Sequence, residues 1–178
     1  DMTPQIARID AHILGRRGVN RLCYKGFVVH QTPSHPLASR QPYVVGAELF
    51  GSRGLRTDLE VIRLSVKVAR CAGVNDMHLD IGHVGLVRAI LKEEKLDADA
   101  MEVLLEALRL KDRVRLDRIK DQLSGEGYQA LLTLMQTFGA VEVLDELREK
   151  LPARAGVLEA LDEVETLARE AGAPHVSV

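Results

Sequence analysis

Apolar residues recur at helical spacing over residues 3–14, where Ile6, Ile9 and Ile13 share one face. Thr3 suits the N-cap and Pro4 the first helical position, while Gly15 and Gly18 end the segment. Residues 19–31 and 41–51 are instead rich in Val, Tyr, Phe and Leu and read as two strands. The stretch between them holds Pro33, Pro36 and small polar residues, so the pair is expected to form a long hairpin. Thr57-Asp58-Leu59-Glu60 is a capping-box sequence, and Leu59, Ile62, Val66 and Ala69 carry a helix to Gly73. Met77, Leu79 and Ile81 alternate with His78 and Asp80, the pattern of a half-buried strand, and a helix follows over about 84–91.

From Asp97 the period is helical throughout. Met101, Leu104, Leu105 and Leu108 make one stripe, and Val114, Leu116, Ile119 and Leu123 a second. Leu131, Leu134, Met135 and Phe138 make a third, closed by Gly139. A fourth helix over 141–150 stops before Pro152. A last one over about 153–171 carries Leu158, Leu161, Val164, Leu167 and Ala168, and leads to a strand-like end, His175-Val176-Ser177-Val178, with no evident partner. Hairpin first and helices after, without repeated βαβ units, predicts an α+β fold with a helical insertion.

Composition sharpens that division. Residues 1–56 hold eight basic and three acidic side chains, four of the six prolines and four of the six aromatics, as strands and turns do. Residues 95–150 hold 21 charged residues, the mark of exposed amphipathic helices. Over all 178 residues the net charge is -2, which gives no reason to expect nucleic acid or an anionic membrane as partner. No apolar run approaches the roughly 18 residues that span a bilayer. Cys23 and Cys71 match no metal spacing and fit a reducing cytoplasm.

Candidate chemistry is sparse. Neither glycine-rich phosphate motif occurs, nor a GxSxG elbow, nor HExxH. His78, Asp80 and His83 have the residue types to gather round a metal, but ordinary strand alternation is the better explanation and no metal is expected. Arg16, Arg17 and Arg21 form a small basic cluster without an aromatic platform, and read as a solvated face. Glu48 is the sole acidic residue of the apolar strand Tyr43-Val44-Val45-Gly46-Ala47-Glu48-Leu49-Phe50. Pattern alone makes it a solvent-facing position or a structural ion pair; the alternative is a carboxylate that receives a ligand ammonium or imidazole N–H.

Five segments, taken in order, carry a resemblance. They are Asp1-Met2-Thr3-Pro4-Gln5-Ile6-Ala7-Arg8, Leu22-Cys23-Tyr24-Lys25-Gly26, Gly46-Ala47-Glu48-Leu49-Phe50-Gly51, Asp58-Leu59-Glu60-Val61-Ile62, and His78-Leu79-Asp80-Ile81-Gly82-His83-Val84-Gly85. As a set they resemble the regulatory subunits of ATP phosphoribosyltransferase, paralogues of histidyl-tRNA synthetase. The resemblance is strongest from Asp1 to Leu91 and thin through the helices. It implies a class II synthetase-like antiparallel sheet core, present in part, with a helical insertion. On that basis residues 1–94 are core, 95–152 the insertion, and 153–178 the helix and strand that return to the core.

The same resemblance implies a subunit without chemistry or cofactor of its own. It would assemble with a short-form catalytic subunit and with itself, mediate feedback inhibition by histidine in the cytoplasm, and bind neither tRNA nor membrane. Histidine would be met by Asp1, Thr3 and Glu48. Val44 stands where synthetases carry a glutamine, and His30 where they carry an ATP-gripping arginine. An imidazole cannot form the bidentate fork of a guanidinium, so aminoacylation is not expected. By the family pattern, motif 1 would precede Asp1 and the histidine loop and motif 3 would follow Val178, which makes the chain an internal fragment. Two other readings stay open at this level: a fragment of a histidyl-tRNA synthetase, and a plain helical interaction module over 95–150.

Overall fold

The computed structural model describes residues 2–33 and 35–178. The chain is α+β and divides into two compact units, one ending at Ser65 and the other beginning at Val66.

In the first unit, helix α1 (Thr3–Arg8) passes directly into a π-helical turn at Ile9–Leu14. Met2, not Thr3, occupies the cap position, and Gly15 ends the turn with left-handed backbone (φ 54°). Strands β1 (Asn20–Phe27) and β2 (Tyr43–Phe50) then pair antiparallel, in register from Asn20 opposite Phe50 to Phe27 opposite Tyr43. The regular strands are shorter at both ends than the composition suggests, although toward the loop the Val28 and His30 amides still donate to the Pro42 and Arg40 carbonyls. Alternation assigns the faces: Leu22, Tyr24, Val44, Gly46 and Glu48 lie on one, and Cys23, Lys25, Phe27, Tyr43 and Val45 on the other. The first face is half-buried; on the second, Phe27, Tyr43 and Val45 are exposed, and the Phe27 and Tyr43 rings meet edge to face 4.9 Å apart.

Helix α2 (Leu55–Cys71) starts two residues before the expected capping box. Thr57 is therefore already helical, and its hydroxyl meets Ser52 Oγ at 2.8 Å instead of capping.

In the second unit, β3 (His78–Asp80) leads to α3 (Val84–Leu91), α4 (Ala98–Leu110), α5 (Arg113–Asp117), α6 (Gly125–Gln136), α7 (Val143–Lys150), α8 (Ala155–Glu170) and β4 (His175–Ser177). Three of these helices start on side-chain caps: Asp97 accepts from the Ala100 amide (2.7 Å), Asp112 from Arg115 (3.2 Å) and Ser124 from Gly127 (2.9 Å). The second predicted stripe is broken into α5 and a single 3-10 turn at Lys120–Gln122. The terminal strand has a partner after all. β4 pairs parallel with β3, His78 opposite His175 and Asp80 opposite Ser177, and Val178 exchanges backbone hydrogen bonds with Gly139. In place of one antiparallel sheet, the described residues thus form two two-stranded sheets, one antiparallel and one parallel.

The core of this unit is apolar. Ile90, Leu104, Leu116, Leu131, Leu144, Val157 and Leu161 are fully buried, one or two from each of α3 to α8, and α8 packs along α3. Each predicted stripe is partly corrected: Leu105 (55% exposed), Val114 (67%) and Phe138 (70%) face outward. Polar ties fix the helix ends. Arg154 donates to the Ile90 carbonyl at the end of α3 (3.1 Å) and pairs with Glu126 on α6. Arg148 on α7 reaches Asp162 and Glu165 on α8, both at 2.7 Å. Among the described residues no helix is long and apolar enough to cross a membrane.

Candidate functional site

Glu48 lies on the half-buried face of the hairpin, opposite Leu22 and one pair along from the Tyr24–Gly46 pair. Residues 2 and 3 lie over this same face. The Met2 thioether would sit 3.7 Å from a Cβ placed on Gly26, and the Thr3 hydroxyl donates to Glu48 Oε1 at 2.7 Å. That bond spans 45 residues and takes the Thr3 hydroxyl away from the capping role its sequence position suggests. A hydroxyl on a carboxylate is a charge-assisted bond, and it fixes one oxygen of Glu48 in a partly desolvated place. The Tyr24 hydroxyl approaches the same oxygen at 3.5 Å. Both of these hydroxyls address Oε1, and neither engages Oε2.

Of the three residues expected to meet a ligand, then, Thr3 and Glu48 are brought together; Asp1 lies outside the described residues. Val44 shares the face of Glu48 and offers no polar atom there. His30 is exposed beyond the end of β1, where its amide donates across the hairpin loop to the Arg40 carbonyl (2.8 Å). Tyr24 was not singled out from the sequence, because its neighbourhood to Glu48 exists only across the strand pair.

The other candidates resolve into structural roles. Arg21 grips Glu60 of α2 through two nitrogens, one at 2.8 Å, while Arg16 and Arg17 are exposed. That double hydrogen bond holds Glu60 below the usual carboxylate range and raises Arg21. Beside this pair a cleft of about 160 Å³ is lined by Cys23, Ala47, Glu48, Leu49, Val61 and Leu64, and of its charged groups Arg21 and Glu60 are paired with each other.

His78, Asp80 and His83 do not converge. His83 Nε2 meets Glu163 of α8 at 2.9 Å, and its buried Nδ1, pressed against Gly85, has no partner. His78 instead stacks on His175 across the β3–β4 seam, ring centroids 6.3 Å apart and nearly parallel (13°). Its Nε2 meets Ser177 Oγ at 2.9 Å, and Ser177 donates to Asp80. Because Asp80 meets the serine and the same imidazole nitrogen, this is not a nucleophilic triad, in which the carboxylate holds the far nitrogen. Among the described residues no group of three or more histidine, cysteine or carboxylate side chains could hold a metal.

The ATP phosphoribosyltransferase regulatory subunit of Nitrosospira multiformis is 42% identical over 174 residues, 96% of this chain and 44% of the relative. That of Ralstonia pickettii is 42% identical over 178 residues, 100% of this chain and 46% of the relative. A crystal structure from Bacillus halodurans C, described as an ATP phosphoribosyltransferase regulatory subunit/histidyl-tRNA synthetase, superposes with a TM-score of 0.81 at 27% identity. It covers 99% of this chain, which in turn covers 47% of it. The chain spans about half the length of the curated relatives it matches. The profile of one family, Histidyl-tRNA synthetase, matches residues 1–178 without a break, and the chain belongs to that family.

Proposed function

We propose that this chain is part of the non-catalytic regulatory subunit of an ATP phosphoribosyltransferase, supporting a short-form catalytic subunit and conveying feedback inhibition by histidine. The observation that carries the reading is the Thr3–Glu48 pairing, in a chain that aligns end to end with regulatory subunits. Thr3 engages one carboxylate oxygen and leaves the other to receive an N–H of a cationic or imidazole ligand. Asp1, Thr3 and Glu48 together form the histidine-binding set in this reading. His30 in place of an arginine removes the bidentate grip on a nucleotide phosphate, which speaks for sensing over aminoacylation. Residues 1–94 then serve as the ligand-bearing synthetase-like core, 95–152 as its helical insertion, and 153–178 as the return, a division supported by α8 packing back on α3. Self-association of the complete subunit belongs to the same reading.

The test uses the complete subunit, co-purified with a short-form catalytic subunit and assayed with and without histidine. Activity should depend on the complex and fall when histidine is added. In calorimetry Glu48→Gln should weaken histidine binding by about 1.5–3 kcal/mol, the contribution of a hydrogen bond to a charged group. Unchanged affinity would return Glu48 to a structural role, and histidine-dependent ATP–pyrophosphate exchange would overturn the regulatory reading.

A further inference from the structure

Tyr24 stands beside Glu48 and has no part in the reading above. Its register fixes its place: it pairs with Gly46, and its ring folds across that glycine. A Cβ at position 46 would lie 2.2 Å from Tyr24 Cζ and 2.3 Å from its hydroxyl oxygen. Glycine is therefore what lets the phenol lie down on the strand, and the hydroxyl comes to rest toward Glu48. Its hydrogen bond there is the 3.5 Å approach to Oε1, at the long limit for such a bond. That oxygen already holds the Thr3 hydroxyl at 2.7 Å. A half-buried phenol normally finds a better partner than this.

Two groups with unused capacity thus lie side by side on one face: Glu48 Oε2, an acceptor only, and Tyr24 Oη, a donor and an acceptor. We infer that Tyr24 Oη is a further ligand-binding and specificity-determining group of this site. It acts with Glu48 Oε2 on a small amino acid whose ammonium or imidazole presents N–H donors. The inference rests on the histidine reading and deepens it. A bare carboxylate attracts any cation, whereas a carboxylate with a fixed phenol beside it favours a ligand that satisfies both. An analogue lacking the N–H leaves both protein groups without a partner and is rejected strongly for that reason.

The experiment is calorimetry on the complete subunit, wild type against Glu48→Gln and Tyr24→Phe. Three ligands are used: histidine, thienylalanine (ammonium kept, imidazole N–H lost) and imidazolepropionate (imidazole kept, ammonium lost). Tyr24→Phe keeps the ring on Gly46 and removes one oxygen. It should bind histidine about tenfold more weakly, within the range of a single ligand hydrogen bond. It should also lose about the same factor of preference for histidine over one of the two analogues, which identifies the group it meets. Unchanged histidine affinity, or equal weakening toward all three ligands, would overturn the assignment, the second because a structural role affects all alike. If wild type binds no histidine, the histidine reading itself falls and Tyr24 with it. If wild type binds and Glu48→Gln weakens it while Tyr24→Phe does not, the Tyr24 inference alone falls.

Discussion

Leu158 and Leu161 sit one turn apart on α8, belong to one predicted apolar stripe, and should respond very differently to truncation. Leu161 is 0% exposed and lines, with Leu144, Leu147 and Met135, a cavity of about 220 Å³ inside the second unit. Leu158 is 38% exposed. Leu→Ala removes roughly three methylene equivalents at about 0.8 kcal/mol each, or about 2.4 kcal/mol for a fully buried side chain. At Leu161 the void joins a cavity that is already present, which adds about 1 kcal/mol of lost packing and brings the total to about 3–4 kcal/mol. At Leu158 water replaces part of what is lost, and no closed void forms. The cost there is about 1 kcal/mol, trimmed further by the better helix propensity of alanine. The assay is urea unfolding followed by far-UV circular dichroism, since the chain has no tryptophan for fluorescence. Both variants should keep the wild-type dependence on urea and differ in midpoint. Losses equal to within about 0.5 kcal/mol would refute the argument, because the two leucines would then share one environment.

Glu165 is held below the ordinary 4.5 by hydrogen bonds from Arg148 first and Arg169 second. A depressed carboxylate contributes stability that is present above pH 4.5 and is lost as the pH falls through its lower folded value. The wild-type urea midpoint should therefore drop more steeply below that pH than the midpoint of Glu165→Gln, and parallel pH profiles would contradict the clasp between α7 and α8. Gly51 and Gly54 both have positive φ (80° and 100°), but a Cβ on Gly51 would lie 2.1 Å from the Gly18 carbonyl oxygen, while Gly54 has nothing within 4 Å. Gly54→Ala should cost about 1–2 kcal/mol of backbone strain. Gly51→Ala should cost at least about 1 kcal/mol more, because a backbone oxygen cannot rotate aside as a side chain can. Hydrogen exchange of the β1–β2 amides would read the difference, and equal protection in the two variants would count against it.

Local chemistry was legible wherever neighbours in sequence decide the outcome. The hairpin, the helix over Val84–Leu91 and the onset of helical structure at about Asp97 follow from alternation and helical period. Where two explanations competed for one residue, the pattern chose the nearer one. Thr3 fits an N-cap by its position before Pro4, yet its hydroxyl goes to Glu48; Thr57 fits a capping box, yet α2 is already under way there. Capping signals report that a helix starts nearby, and a stronger acceptor brought in from elsewhere in the chain can take the hydroxyl.

The apolar stripes show the same boundary. Periodicity marks which face of a helix is apolar, and it marked Leu104, Leu116, Leu131 and Leu161 correctly as core. It also included Leu105, Val114 and Phe138, because an amphipathic face is wider than the strip that neighbouring helices cover. The sequence by itself determined the α+β class, most of the elements and the choice of Glu48 as the carboxylate worth explaining. Only the tertiary structure decided that Thr3 and Tyr24 stand beside Glu48, that β4 pairs with β3, and that His78 faces His175 and not His83. The physical reason is range: periods and caps act over a few residues, whereas these contacts join positions 24 to 97 residues apart, and register and packing alone bring such positions together.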